Sequence, residues 1–342
     1  MKTKTKTTLL ATITLLACSI AWSAGLYFVS GSDFKQCDLA YVVQTTEPNQ
    51  TVDISPVKSN IPHDWYVKTE GVELYKDTSD TTTPIMYTYA NPGLHTVKLY
   101  PGYTTSGSIR WYTFHFNNEN NGEHIKKIKT GSNATIAFDN TYCSGLKQVI
   151  FNGSRIIDYA IRYSSNVVDI VISPSVVQIG GACFQDCTSI TNIYIPNTVL
   201  TTRNFLCWNC TSLKTAHLSE NMDQIPMHTF RDCPNLEQVD LPIAPTNIGA
   251  YAFSNCTNLP EIAIADGVVS IGAYAFQNCK KFKGLTIPAS VITIDKNAFN
   301  GMDSITNIVF VGKTPEEVQA IKDSGGNNRY PWGMTASKII TQ

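Results

Sequence analysis

The sequence has little charge and no excess of either sign. Charged residues make up 15% of the chain and the formal net charge is −1, whereas about a quarter of the residues are charged in ordinary globular proteins. Because 43% of the residues are hydrophobic, this composition excludes a disordered chain, which combines high charge with few apolar residues. The sequence also lacks the basic excess with which proteins hold phosphate backbones, so no nucleic acid partner is expected.

Motifs of catalysis and metal binding are absent. The sequence contains no Gly-x-Ser-x-Gly turn, no glycine-rich phosphate loop and no His-x-x-x-His pair, and its 6 His residues are scattered. Asp240 and Glu261 are expected on adjacent strands about 5 Å apart, within reach of glycosidase chemistry, yet no cleft is predicted around them. We therefore predict no catalytic, cofactor-binding or metal-binding residue, and a surface glycan-processing enzyme is the least favoured interpretation.

A long hydrophobic run lies at the N-terminus. Lys2, Lys4 and Lys6 precede an apolar stretch over residues 9–22, and small residues follow to Ala24. This is the pattern of a bacterial-type secretory signal. Residues 1–24 are therefore predicted to direct export.

Three ways of processing this signal are open. Residues 15–18 (Leu-Leu-Ala-Cys) resemble a lipobox, in which Cys18 would carry a lipid and become the mature N-terminus. Residues 19–21 (Ser-Ile-Ala) fit an ordinary small-x-small cleavage site. Residues 8–29 are apolar over about 20 residues, enough to stay as an uncleaved anchor. All three place the mature chain outside the cytoplasm, either anchored at the surface or secreted.

Residues 25–120 have the periodicity of a small β-domain. Stretches rich in Thr, Tyr and Val alternate with period two, and turns that contain Pro, Gly and Asn separate them. Seven short strands in this length indicate a β-sandwich. The predicted strands are Ala40–Thr45, Thr51–Ser55, Trp65–Lys68, Val72–Lys76, Ile85–Tyr89, His95–Leu99 and Ile109–Phe116.

The same region resembles the PKD-like domains of immunoglobulin type. In those domains a Trp strand precedes a tyrosine-bearing strand, a Pro-Gly turn and a closing strand, as Trp65, residues 87–89, residues 92–93 and residues 95–99 do here. Residues 66–68 replace the Gly-Asp-Gly turn that often follows the Trp. The resemblance implies a spacer or a second binding module in front of the rest of the chain.

The remainder of the chain is one repeat copied at a fixed interval. Five cysteines from Cys187 to Cys279 are spaced by 23 residues, and Met302 takes the next place. Three residues after each begins an apolar-x-x-apolar-x-apolar pattern, which extends upstream with two shorter steps of 21 residues. Because one such strand cannot bury its apolar face alone, residues 121–312 are predicted to stack as a nine-strand parallel solenoid. The middle apolar column is Ile128, Val149, Ile170, Ile193, Ala216, Val239, Ile262, Leu285 and Ile308.

The second half of each unit carries the motif Val-x-x-Ile-Gly-x-x-Ala-Phe-x-x-Cys, clearest at residues 268–279. We expect Ile271, Ala275 and Phe276 to point inward as the opposite wall of the solenoid. With the strand and the proline that follows it, this order resembles the BspA-like leucine-rich repeats of bacterial surface proteins. The resemblance implies a curved solenoid on a secreted or surface-displayed protein that acts in adhesion or binds host or neighbouring-cell proteins. No fixed catalytic or binding residues transfer from the family.

Residues 313–342 are predicted to cap the solenoid. Thr314 is an N-cap residue, Pro315 takes the first helical position, and acidic residues fill the first turn. The helix is expected to run to about Lys322, and a last strand is expected at residues 337–340. The predicted fold class is mainly β, with an N-terminal β-sandwich, a leucine-rich-repeat solenoid and a short C-terminal helical cap.

The repeated cysteines are predicted to be buried thiols. Stacked equivalents lie about 5 Å apart, whereas a disulfide needs Cβ atoms about 3.8 Å apart, and a linear column does not converge on zinc. Cys207 replaces the inward Phe of its unit and lies near Cys183 of the preceding unit. A disulfide between these two stays open.

The outward positions beside the middle column form the predicted concave face. Their aromatic and acidic members suit the binding of an extracellular protein or glycan ligand, which is the predicted function. The alternatives are that these residues are simply solvated and that the chain is an architectural envelope protein with no dedicated ligand. The candidate ligand-facing residues are Asp169, Asn192, Tyr194, Thr215, His217, Gln238, Asp240, Glu261 and Thr286.

Metabolic labelling distinguishes the three processing routes. We expect a fatty-acid analogue fed to producing cells to label the wild-type chain but not Cys18→Ala, because the lipobox places the lipid on that thiol. In-gel detection of the label measures this, with the mass of the mature chain as control. An unlabelled shortened chain would establish ordinary cleavage, and an unlabelled full-length chain would establish the uncleaved anchor.

Overall fold

The structure is a computed structural model, and it describes residues 39–53, 57–59, 65–70, 72–76, 86–101, 112–115, 125–130, 134–136, 145–324, 332 and 338–341. The fold is mainly β, a solenoid of about seven turns with one short helix near its C-terminus, as the sequence predicts. The predicted export signal, with Cys18, lies outside the described residues.

Among the described residues, eight strands precede the solenoid, and seven of them overlap the predicted strands. They are β1 (Leu39–Thr45), β2 (Gln50–Asp53), β3 (Val57–Ser59), β4 (Trp65–Thr69), β5 (Val72–Lys76), β6 (Met86–Tyr89), β7 (Gly93–Pro101) and β8 (Tyr112–His115). β1 pairs with β7, which continues through β4 to β5, while β2 pairs with β6 and β3 with β8. The packing of these strands into a sandwich stays a prediction.

The N-terminal strands and the solenoid share one sheet. β1 pairs antiparallel with β9 (Ile125–Thr130), the first solenoid strand, from Leu39 opposite Thr130 to Val43 opposite Ile125. An uncovered sheet edge invites pairing with other chains. β1 therefore covers the first edge of the solenoid sheet.

The concave strands stack in parallel with the register that the 23-residue period requires. Ile193 lies opposite Ala216, which lies opposite Val239. The last strand is parallel as well, so the predicted strand near residues 337–340 is confirmed. After β9 these strands are β11 (Gln148–Phe151), β13 (Asp169–Ile172), β15 (Asn192–Tyr194), β17 (Thr215–His217), β18 (Gln238–Asp240), β21 (Gly284–Ile287), β23 (Asn307–Phe310) and β24 (Lys338–Thr341).

The prediction of a strand around Ile262 is wrong, because a proline interrupts the ladder there. At the equivalent positions Lys214 and Glu237 donate their N–H groups to the preceding turn at 2.8 Å. Pro260 occupies this position next and has no N–H to donate. Within the described chain, residues 260–264 form no backbone hydrogen bond to β18 or β21, and the concave sheet is interrupted.

Short strands form the opposite wall, and their breaks alternate with those of the concave face. The concave ladder is interrupted between β13 and β15, and there Ile179 of the opposite wall lies opposite Thr202. The concave ladder is also interrupted at residues 260–264, and there Ile271 of the opposite wall pairs with Ile248 on one side and Ile294 on the other. The opposite wall is interrupted after Thr202, where β15 and β17 are paired. The strands are β10 (Ala134–Ile136), β12 (Arg155–Ile156), β14 (Gln178–Ile179), β16 (Thr201–Thr202), β19 (Asn247–Ile248), β20 (Ser270–Ile271) and β22 (Thr293–Ile294).

A third set of hydrogen bonds, here called the left-handed ladder, joins the Ala-Phe segments of successive turns. The N–H groups of Tyr251, Phe253 and Asn255 donate to carbonyls of the next turn at 2.7–2.9 Å. Tyr251 and Asn255 have φ of 57° and 63°, a left-handed conformation that Asn tolerates and a bulky ring seldom adopts. Rings stack along the first of these columns at 4.6–4.9 Å, through Phe205, His228, Tyr251 and Tyr274.

The repeated cysteines stabilise the left-handed ladder from inside, as buried thiols. Cys256 Sγ donates to the carbonyl of Phe230 in the preceding turn at 3.1 Å. The other four cysteines of the column make the equivalent contact at 3.0–3.2 Å. The predicted buried thiols are confirmed, and Cys183 and Cys207 are both free.

The C-terminal end of the solenoid is covered by helix α1 (Pro315–Ser324) and by β24. Thr314 and Glu317 form a capping box: Glu317 Oε2 accepts from the Thr314 N–H at 2.8 Å, and Thr314 Oγ1 accepts from the Glu317 N–H at 3.3 Å. Buried phenylalanine rings stack through the solenoid at 5.3–6.0 Å, and Trp332 contacts the last of them, Phe299. The predicted helical cap is confirmed.

Hydrogen exchange tests the interruption at Pro260. We expect the amides of residues 261–264 to exchange faster than those of residues 215–217, because only the latter lie in a ladder. Pro260→Thr should slow exchange at 261–264 by about fivefold, since it supplies the missing N–H and one hydrogen bond is worth about 1 kcal/mol. Lys214→Thr is the matched control, because its N–H is already bonded. Equal protection of the two segments in the wild type would contradict this account.

The buried thiols predict a loss of stability at alkaline pH. Burial raises the pKa of the column thiols above the ordinary value of 9.0. Below pH 9 the thiols are protonated in the folded and unfolded chains alike, but above it only the unfolded chain releases the protons. Each thiol therefore lowers the free energy of unfolding by up to about 1.4 kcal/mol per pH unit above pH 9.

Urea unfolding under reducing conditions at several pH values between 8 and 10.5 measures this effect. Cys256→Ala should flatten the alkaline slope by one proton and lower stability at pH 8 by about 1 kcal/mol, because one S–H···O bond is lost. An unchanged slope in this variant would contradict the assignment.

Candidate functional site

The centre of the concave face contains six of the nine candidate residues. β15, β17 and β18 each present two outward side chains in register. The first column is Asn192, Thr215 and Gln238, and the second is Tyr194, His217 and Asp240. The 23-residue spacing therefore brings these six side chains onto one face, and their role in binding stays a prediction.

The second column forms a connected row, here called the Tyr194–Asp240 row. The rings of Tyr194 and His217 stack with centroids 4.5 Å apart and 6° between their planes. His217 Nδ1 lies 3.2 Å from Asp240 Oδ2. Tyr194 is 57% exposed, so the row presents an aromatic ring that its neighbours hold in place.

Hydrogen bonds fix the acidic end of the row. The bond with His217 lowers the pKa of Asp240 below its ordinary value, and a bond from Gln238 Nε2 to Asp240 Oδ1 at 3.3 Å acts in the same direction. Asp240 therefore stays ionised at neutral pH. The Nε2 atom of His217 is buried without a hydrogen-bond partner. With Nδ1 donating to the carboxylate, the row combines an exposed ring with a fixed negative charge.

Asp169 lies apart from this row. It is on β13, across the break in the concave ladder, and its carboxylate accepts a hydrogen bond from Gln148. Lys127 lies in register with Gln148 on β9, and burial lowers its pKa to about 8. Sequence reasoning did not single out Gln148 and Lys127, although the register of the two shortened units contains them.

Glu261 and Thr286 border a groove that sequence reasoning missed, here called the Pro260 opening. It has a volume of about 1060 Å³ and lies where the concave ladder is interrupted. Val239 and Ile262 are half-buried in it, whereas the equivalent Ile193 is only 3% exposed. The sequence signal for this groove was Pro260, a proline at a strand position whose N–H must donate a hydrogen bond. The lining residues are Glu237–Val239, Pro260–Ile264, Asp266, Gly284, Thr286, Pro288–Ser290 and Val311.

The acidic side chains of the concave face are spread over separate columns. Within the described residues no three His, Cys, Asp or Glu side chains cluster so as to hold a metal ion. Asp240 and Glu261 belong to different outward columns, because Glu261 is one repeat from Gln238 and not from Asp240. In the described part of the chain, no helix has the length and hydrophobicity to cross a membrane.

Solved leucine-rich repeat structures resemble this chain at low identity. A leucine-rich repeat protein from Eubacterium ventriosum is 22% identical with a TM-score of 0.44, over 56% of this chain and 60% of that one. One from Bacteroides ovatus is 20% identical with a TM-score of 0.45, over 63% of this chain and 66% of that one. The T. pallidum leucine-rich repeat protein is 20% identical with a TM-score of 0.44, over 53% and 86%. The chain thus spans less than two thirds of the first two proteins.

No curated protein matches the chain. The family model described as "BspA type Leucine rich repeat region" matches residues 134–259 and 223–325, with six copies. The matched stretches include most of the three ladders, the cysteine column and the Tyr194–Asp240 row. Because they cover more than half of the 342 residues, the chain belongs to the BspA-type leucine-rich repeat family.

Proposed function

We propose that this chain is an exported surface protein that binds an extracellular protein through its concave face, as an adhesion or recognition module. The Tyr194–Asp240 row is the observation that carries the proposal. Tyrosine offers a large amphipathic contact at low cost in conformational entropy, and such residues dominate protein interfaces. Membership of a family of repeat proteins that present extended concave surfaces supports the same role.

The geometry of the row favours a preorganised contact. Stacking on His217 and the bond from His217 to Asp240 restrict the Tyr194 ring before any ligand arrives. A side chain that is already ordered loses less entropy on binding, so more of its contact energy appears as affinity. Val171, one repeat before Tyr194 and across the break in the concave ladder, is 41% exposed and adds apolar area to the same outward column. A protein ligand with an apolar patch next to a basic group would complement this surface.

The remaining parts of the chain have supporting roles in this proposal. The N-terminal strands form a PKD-like sandwich that acts as a spacer or a second binding module. The export signal delivers the chain to the cell surface, with a lipid on Cys18 as the proposed anchor. We propose no catalytic role, and an architectural envelope protein without a dedicated ligand is the alternative.

Paired substitutions test the binding face. We expect the full chain to bind at least one member of a panel of extracellular matrix proteins, serum proteins and surface glycans. Tyr194→Ala combined with Asp240→Lys should weaken that binding at least about a hundredfold, because a central aromatic residue and its adjacent charge are lost together. Surface plasmon resonance with immobilised panel members measures the effect.

Leu200→Ala is the matched control. Leu200 is 55% exposed, nearly as much as Tyr194, but lies on the opposite wall next to β16. It should leave binding unchanged. Equal loss in the control, or full binding by the double variant, would contradict the choice of face. Binding to glycans alone would replace the protein ligand with a glycan, and no binding by the wild type would favour the architectural alternative.

A further inference from the structure

We propose that the Pro260 opening binds an extended basic peptide, which takes the strand position that residues 260–264 leave unpaired. The inference rests on the proposed binding role of the concave face and gives the chemistry of a partner segment. It depends on three observations: open main-chain edges, accessible apolar residues and an acidic rim.

The main-chain edges come from the missing ladder. β18 is paired on one side with β17, and β21 is paired on one side with β23. On their facing sides the described residues form no backbone hydrogen bond with residues 260–264. An extended peptide can add to such an edge by forming ladder hydrogen bonds, as in strand addition. Two facing edges one strand apart offer donors and acceptors to both sides of one peptide.

The floor of the opening is apolar and has room. Val239 and Ile262 are half-buried, whereas Leu285 of the next turn is only 3% exposed. Gly284 stands in the outward column that Gln238 and Glu261 occupy in the two preceding turns, so it adds no side chain of its own to the groove, and the Asn307 side chain of the following turn lies next to it. Alternate side chains of an extended strand point to the same face. Apolar residues at every second position of the peptide would cover Val239 and Ile262.

The acidic rim of the opening favours basic side chains on the other face of the peptide. Three carboxylates, from Glu237, Glu261 and Asp266, line the opening, and its lining contains no Lys or Arg. Glu237 and Glu261 are exposed, so basic side chains can reach them from the concave side. Acidic side chains on a partner would be repelled by these carboxylates, so the site prefers a basic partner. The best match is a peptide that alternates basic and apolar residues.

Fluorescence anisotropy with the full chain tests the inference. The probe is a fluorescein-labelled octapeptide of alternating Lys and Val, blocked at both ends. We expect saturable binding that weakens at least tenfold in Pro260→Thr, because the restored N–H lets residues 260–264 fill the strand position. Glu237→Gln combined with Glu261→Gln, which does not alter the backbone, should weaken binding about as strongly. Lys214→Thr should bind like the wild type.

Two further probes separate main-chain recognition from charge attraction. A Glu-Val octapeptide should not bind, and a Lys-Val octapeptide N-methylated at alternate residues should bind at least tenfold more weakly. Equal binding of the methylated peptide would overturn the strand addition. Binding unchanged in the double Gln variant would overturn the role of the rim, and no binding by the wild type would overturn the site.

The peptide experiment and the binding panel can fail separately, so the two proposals are tested separately. Tyr194→Ala alone, on β15, changes neither the edges nor the charges of the Pro260 opening, and this variant should still bind the Lys-Val peptide. If Pro260→Thr retains the extracellular ligand but the peptide never binds, this inference fails while the proposed function stands. If the peptide binds and no panel member does, the proposed function fails while the site stands.

Discussion

The hydrogen bonding of each turn to the next is the constraint on which this structure depends. A 23-residue turn cannot satisfy its own backbone groups, so its donors and acceptors must find partners on adjacent turns. The left-handed ladder does this in successive units, and the repeated thiols add a bond from inside each turn. The unusual backbone at Tyr251 and its equivalents persists because ring stacking and these inter-turn bonds hold it in place.

Much of the fold could be predicted from the sequence because its determinants repeat. One copy of the motif is weak, but nine copies of the middle column define a register that the structure reproduces at Ile193, Ala216 and Val239. The helix start at Thr314 could also be predicted from the sequence, since its capping box depends on residues three positions apart. The left-handed ladder was not predicted, because φ at Tyr251 or Asp232 leaves no direct trace in composition or periodicity.

The candidate site was likewise only partly predictable from the sequence. Register alone placed Tyr194, His217 and Asp240 in one row, but the stacking of the rings depends on side-chain torsions that no pattern encodes. At residues 260–264 the apolar pattern predicted a strand, and a single missing N–H prevented it. The pattern describes which side chains face inward, whereas strand pairing also needs a donor on every turn. Residues 260–264 meet the first requirement through Ile262 and Ile264, and Pro260 fails the second.

The alternation of breaks between the two walls has a consequence for how such a protein can diverge. Where the concave ladder is open, the opposite wall is paired, and the reverse holds after Thr202. Coupling between neighbouring turns is therefore carried by whichever wall is intact, together with the left-handed ladder. Where the opposite wall is paired, a concave segment can contain a proline, as at Pro260, and the stack stays continuous. Wherever the opposite wall is paired, the concave surface is thus the part of the repeat that is freest to change in sequence.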